Sequence, residues 1–81
     1  MKVSKNTEVN TMNVRISKDM EWQLEYFDWD ATKLRQGLPK QFPNANVIEV
    51  TDCEIAYMEV NVDGEYYVLN EEGEIIESGR M

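Results

Sequence analysis

Eighty-one residues allow one domain with one small core, and none of them is His. The chain is 42% apolar and 30% charged, with sixteen Asp and Glu against eight Lys and Arg, for a formal net charge of −8. That is too apolar for a wholly disordered chain, and the sign is wrong for gripping nucleic-acid phosphates or an anionic membrane directly.

Other function classes drop out on residue types. The longest apolar runs, 55–58 and 66–69, are four residues each, against about 20 for a membrane-spanning helix. Residues 1–11 hold no apolar stretch of the signal-peptide kind, so the expected location is intracellular, in the cytoplasm. Cys53 is alone and can form no internal disulfide, which suits a reducing compartment. Without His there is neither a Ser-His-Asp nor a Cys-His nucleophile pair, and a single Cys makes no zinc site. The four glycines are scattered and build no phosphate loop. Catalysis would fall to a Lys or a carboxylate pair such as Asp28 and Asp30. Nothing in the sequence marks either as catalytic. The chain is therefore read as a non-enzyme, with no cofactor and no metal.

In chain order, residues 1–11 read as a loose arm and 12–81 as the domain. Met12, Val14 and Ile16 alternate with polar residues, as do Met20, Trp22, Leu24 and Tyr26. The period of two predicts two strands. A loop at 17–19 would set Ile16 against Met20 and Val14 against Trp22, with the large residues on one face. A helix competes over 20–29, because Met20, Leu24 and Phe27 also fit i, i+4, i+7. Asp30 is an N-cap candidate for a helix over 31–36, with Gly37 just past its end and Pro39 opposing continuation. A strand at 47–51 follows, with a longer one at 54–62, the two continuous through a bulge at 52–53. Asp63-Gly64 is the strongest local signal, a type I′ hairpin turn. Residues 65–69 return, and Asn70-Glu71-Glu72-Gly73 turns into a last strand at 74–78. The expected fold is α+β in the order β-β-α-β-β-β, a largely antiparallel sheet with one helix packed on one face.

The Asp63-Gly64 turn fixes a register in which Val62 opposes Glu65, Val60 opposes Tyr67 and Met58 opposes Leu69. One face then holds Ala56, Met58, Val60, Val62, Tyr67, Leu69 and Ile75, the core. The other holds Tyr57, Glu59, Asn61, Tyr66, Val68 and Ile76. One helix cannot cover both sides, so this second face calls for cover by the N-terminal arm or a twist of the sheet, or else for a partner, including a second copy of the chain.

Charge is segregated along the chain. Residues 1–18 carry a net +3, 19–32 a net −5, 33–43 a net +3, and 44–81 a net −9. Acids at alternate strand positions lie about 6.6 Å apart on one face, while duplex DNA carries a charge per ~1.7 Å of axis. A compact sheet with ten acids approaches that density. The candidate partner-binding residues are the acids Glu59, Asp63, Glu65, Glu71, Glu72 and Glu74, with Tyr57 and Tyr66 as apolar anchors. Taken singly, each acid is explained as well by a solvated surface. Asp28-Trp29-Asp30 opens like a calcium loop, but Lys33 and Pro39 stand where Gly and Glu are needed. Asp52 and Glu54 would raise the Cys53 thiol pKa, against a reactive thiolate. Trp22 and Trp29 read as core and core-edge residues.

In its short length, strong acidity, α+β pattern and lack of catalytic residues, the chain resembles small phage-encoded inhibitors that mimic DNA, anti-CRISPR and anti-restriction proteins among them. The resemblance is compositional and implies an inhibitor that fills a basic, nucleic-acid-binding surface of a partner protein. The alternative is a structural or accessory domain that forms homo-oligomers through the Tyr57/Tyr66/Val68/Ile76 face.

Overall fold

Asn13 is the first and Arg80 the last residue described in the computed structural model; the expected N-terminal arm lies outside the described residues. The class is α+β, as expected, with a five-stranded, largely antiparallel sheet. The elements are β1 (Val14–Arg15), α1 (Lys18–Tyr26), α2 (Ala31–Gln41), β2 (Ile48–Cys53), β3 (Tyr57–Val62), β4 (Glu65–Asn70) and β5 (Ile75–Arg80). Strands lie in sequence order across the sheet. β1 pairs parallel to β2, with Val14 opposite Ile48, and the other pairs are antiparallel.

Among the described residues two helices are present where one was expected. Residues 20–26, whose alternation predicts a strand, belong to α1. Residues 18–26 include no β-branched side chain, and Met, Glu, Gln and Leu favour helix. Ser17 caps the helix, its Oγ accepting from the Met20 N–H at 3.1 Å. The helix ends in a Schellman motif: the Trp29 N–H donates to the Leu24 carbonyl at 2.8 Å and the Asp28 N–H to the Glu25 carbonyl at 3.1 Å. Asp28 takes the left-handed position of that motif, at φ 64°. With α1 in this place β1 cannot form the expected hairpin with it, and the chain returns through both helices to pair β1 with β2.

Asp30 caps α2 as expected, accepting from the Thr32 and Lys33 N–H groups. The helix does not stop at Gln36, however; it runs through Gly37 and Pro39 to Gln41. Pro39 lacks the N–H that would bond the Arg35 carbonyl, but it sits in the last turn, where only that one bond is lost. The continuation buries Leu38 and sets the Phe42 ring 4.9 Å from that of Tyr67. A fully buried Leu contributes about 1.5–3 kcal/mol, enough to offset the missing bond.

β2 and β3 are a hairpin rather than one bulged strand. The Glu54 N–H donates to the Tyr57 carbonyl at 2.8 Å, and the register slips between Val50 and Asp52. The β3–β4 register is the one the Asp63-Gly64 turn predicts, with φ of 52° and 94° at the two turn residues. The core joins Val14, Leu24, Leu38, Ile48, Val50, Cys53, Met58, Val60, Val62 and Leu69. Both helices cover this one face. Ala56 and Ile75, assigned to the core by the alternation, are exposed: Ala56 sits at the β2–β3 tip, and Ile75 lies beside a bulge that shifts β5 against β4. Among the described residues no helix is long and apolar enough to cross a membrane.

Candidate functional site

The eight candidate residues divide into three groups. Tyr57, Glu59 and Tyr66 share the helix-free face of the sheet. Glu71, Glu72 and Glu74 sit in and beside the β4–β5 turn, all exposed. Because Tyr57 pairs with Asn70, this turn adjoins the Tyr57 end of the sheet. Asp63 and Glu65 lie at the opposite end of β3 and β4, away from the turn.

Asp63 is committed to the fold. Its Oδ2 and Oδ1 accept from the Asn46 and Val47 N–H groups at 2.9 Å each, and its own N–H donates to the Val47 carbonyl at 3.1 Å. It fastens the loop before β2 to the β3–β4 turn. Glu65 accepts from the Tyr67 hydroxyl at 3.0 Å and pairs with Arg80 at 3.3 Å. Its pairing with Val62 puts it on the side of the sheet that the helices cover.

On the helix-free face, Tyr66 lies flat across β5. A Cβ at Gly79 would stand 2.5 Å from its Cε2, so glycine leaves room for the ring in this pose and a larger residue would displace it. The Tyr66 hydroxyl donates to Glu77 at 3.1 Å, and this bond to a carboxylate is the largest cause of a raised phenol pKa. Tyr57 stands freer, 38% exposed. Partial burial raises its pKa first, followed by the charges of Glu54, Asp52 and Glu59. Tyr66 and Val68 are half-buried, so the sheet itself covers part of the expected apolar patch.

The turn is held from within. Asn70 Oδ1 accepts from the Glu72 and Glu74 N–H groups at 2.9 Å, and Asn70 Nδ2 donates to Glu74 at 2.9 Å. Gln41, on the last turn of α2, donates to the Gly73 carbonyl at 2.8 Å and ties the turn to the helix.

Between α2 and this turn lies a groove of about 430 Å³. Leu34, Leu38, Met58 and Leu69 give it an apolar floor, and Trp29 a wall. Trp29 is fixed, its indole N–H donating to the Glu54 carbonyl at 2.6 Å. Asp28, Asp30, Glu71 and Glu72 also line the groove, with Lys33 the one basic lining residue among those described. The two acidic stretches of the sequence, 19–32 and 44–81, thus meet along one groove. An apolar floor under convergent carboxylates suits a long cationic side chain, which would lay its methylenes on the floor and its charge among the acids.

Asp28 and Trp29 were legible only as a failed calcium motif and a core-edge aromatic. Trp22, read as a core residue, is instead 76% exposed: on a helix it faces away from Leu24, whereas on a strand it would share Leu24's face. Cys53 is fully buried; burial pushes its thiol pKa up and the charges of Asp52 and Glu54 push it further. Among the described residues, no group of three or more His, Cys, Asp and Glu side chains is placed to hold a metal ion. No family model matches the chain, and no curated protein or solved structure matches it either.

Proposed function

We propose that this protein is a non-enzymatic binding domain that occupies a basic, nucleic-acid-binding surface of a partner protein by charge mimicry, in the manner of phage-type anti-CRISPR or anti-restriction inhibitors. The observation that supports the reading is the acid-rimmed groove. It gathers Asp28, Asp30, Glu71 and Glu72 from the two acidic stretches of the sequence, and none of these four takes part in an ion pair among the described residues. Carboxylates without a cation beside them keep their field in the solvent, Asp30 included although it also caps α2, and that field attracts a cationic surface and speeds association. Tyr57, Glu59 and Glu74 extend the surface beyond the groove, while the carboxylates of Asp63 and Glu65 are engaged by partners within the domain.

The test is binding to a basic nuclease or polymerase across a salt series. Affinity falls by about tenfold or more as salt rises, because screening removes an attraction of this kind. Glu71→Gln with Glu72→Gln weakens binding, and Glu65→Gln leaves it unchanged. Affinity that is indifferent to salt and to the Glu71/Glu72 pair overturns the reading.

A second reading is favoured by Tyr57, exposed on the helix-free side of the sheet, and by Ile76, exposed in the bulged stretch of the edge strand β5: a homo-oligomer joined at this end of the sheet. Sedimentation at micromolar concentration decides between them, since a strict monomer removes the second reading.

A further inference from the structure

The outward side of α1 carries two aromatic side chains that the core does not use. Trp22 and Tyr26 are four residues apart, hence neighbours on one stripe of the helix, and they are 76% and 81% exposed. Leu24, on the opposite side of the helix, is fully buried, with Met20 and Phe27 packed against the same core. Asp19 and Glu25 stand three residues before and after Trp22, one on each flank of the stripe. Both are exposed, and neither joins an ion pair among the described residues. The Glu21 carboxylate, by contrast, turns inward to Arg35 at 2.7 Å. The helix therefore presents an aromatic ridge bordered by two unpaired carboxylates, with the exposed Lys18 one turn before Trp22; among the described residues its one aromatic contact is the edge-on packing of Tyr26 against Phe27 at 5.0 Å.

We propose that the Trp22–Tyr26 ridge is a docking surface for arginine side chains of a partner protein. The chemistry selects the occupant. A guanidinium stacks on indole and phenol faces and binds carboxylates through a planar fork, whereas an ammonium is a compact, strongly hydrated charge that stacks less well. A second copy of the chain is a poor occupant. Two aromatics expose about 300–500 Å² between them, against about 800 Å² per partner for a stable interface. Two ridges face to face would also oppose Asp19 and Glu25 to their own copies, on molecules of net charge −8. The ridge shares with the proposed function a basic partner but uses different residues, and it makes a finer demand: the groove asks for positive charge, the ridge asks for arginine.

The experiment compares nona-arginine with nona-lysine as labelled peptides at low salt, read by anisotropy and by tryptophan emission. The full chain binds nona-arginine about tenfold tighter, the size expected of one or two guanidinium–aromatic contacts, and the tryptophan emission moves to the blue. The double variant Trp22→Ala, Tyr26→Ala melts within a few degrees of the parent, about the effect of the one edge contact with Phe27 that it gives up, since both side chains are otherwise exposed. It binds nona-lysine as before and has lost the preference for arginine. Glu71→Gln with Glu72→Gln weakens both peptides alike and keeps the preference, so failure of the groove and failure of the ridge give different results. Equal affinity of the parent for the two peptides overturns the proposal. So does a preference that survives in the double variant, or a self-association that the double variant abolishes.

Discussion

At the scale of single residues, the carboxylates of this protein do unlike work. Asp63 holds two backbone N–H groups and occupies a positive-φ turn position. Asp63→Ala removes both bonds and places alanine where its Cβ is strained. We expect a loss of about 2–3 kcal/mol in urea unfolding, with Asp63→Asn in between, because Asn tolerates the left-handed region and keeps one acceptor oxygen. Asp28 behaves oppositely. It stands at the position after α1 where glycine is the usual residue, so Asp28→Gly should raise stability by about 0.5–1 kcal/mol while weakening the binding of a cationic partner to the groove it lines. A variant that melts higher and binds as well as the parent would detach Asp28 from the site. The tyrosines give a pH prediction. Tyr66 and Tyr67 donate to Glu77 and Glu65, and Tyr57 is partly buried among acids; all three phenols ionise above the ordinary value. A group harder to deprotonate in the folded than in the unfolded chain contributes stability that is complete below its unfolded pKa, about 10. That contribution is lost as pH rises through the higher folded value. Absorbance at 295 nm should therefore show these phenols titrating later in the folded protein than in urea, with Glu77→Gln bringing the Tyr66 step down.

Elements differ in how far the sequence alone reveals them. The β3–β4 turn and register were legible to the residue, though the first strand begins at Tyr57 rather than Glu54, because Asp63-Gly64 supplies two consecutive positive φ values and leaves one register that puts Met58, Val60, Val62 and Leu69 on one face. The start of α2 was legible from Asp30, whose side chain does the capping itself. Its end was not, because Gly37 and Pro39 are local breakers, while burial of Leu38 and Phe42 is a tertiary gain that sequence spacing shows only weakly. α1 was misread as a strand because Trp22 and Tyr26 count as apolar and complete an alternation with Met20 and Leu24. Once they face solvent, Met20, Leu24 and Phe27 form the buried stripe. The residues that spoiled the reading are the ones with no part in the core. The groove could not be read at all, since its walls come from 28–41 and 58–73 and meet only across the folded sheet. α1 gives a direct comparison: Leu24→Ala should cost about 2–5 kcal/mol, and Trp22→Ala, two residues away, close to nothing in the same unfolding assay. Equal costs would restore the strand, in which both side chains share a buried face.

For the whole molecule, a stability of about 4–12 kcal/mol is ordinary for a domain of this length, so the loss of Leu24 alone could remove much of it. Most of its charge is borne without compensation: two ion pairs join side chains among the described residues, Arg35 with Glu21 and Arg80 with Glu65, both exposed enough to contribute little. The arrangement of strands has a further consequence, for the order of assembly. β2, β3, β4 and β5 are joined by short turns, and their contacts close small loops. The β1–β2 pair, by contrast, brings Val14 to Ile48 across both helices, a much larger loop whose closure costs entropy before any contact rewards it. The meander should therefore be the folding nucleus, and the helical half should dock on it afterwards. In stopped-flow kinetics, Val60→Ala would slow folding, and Leu24→Ala would chiefly speed unfolding. Either acidic surface then comes into being at a different time. The β4–β5 turn is in place with the nucleus, but the groove and the aromatic ridge exist only after the last step, so a partner that needs them waits for the slowest-formed part of the protein.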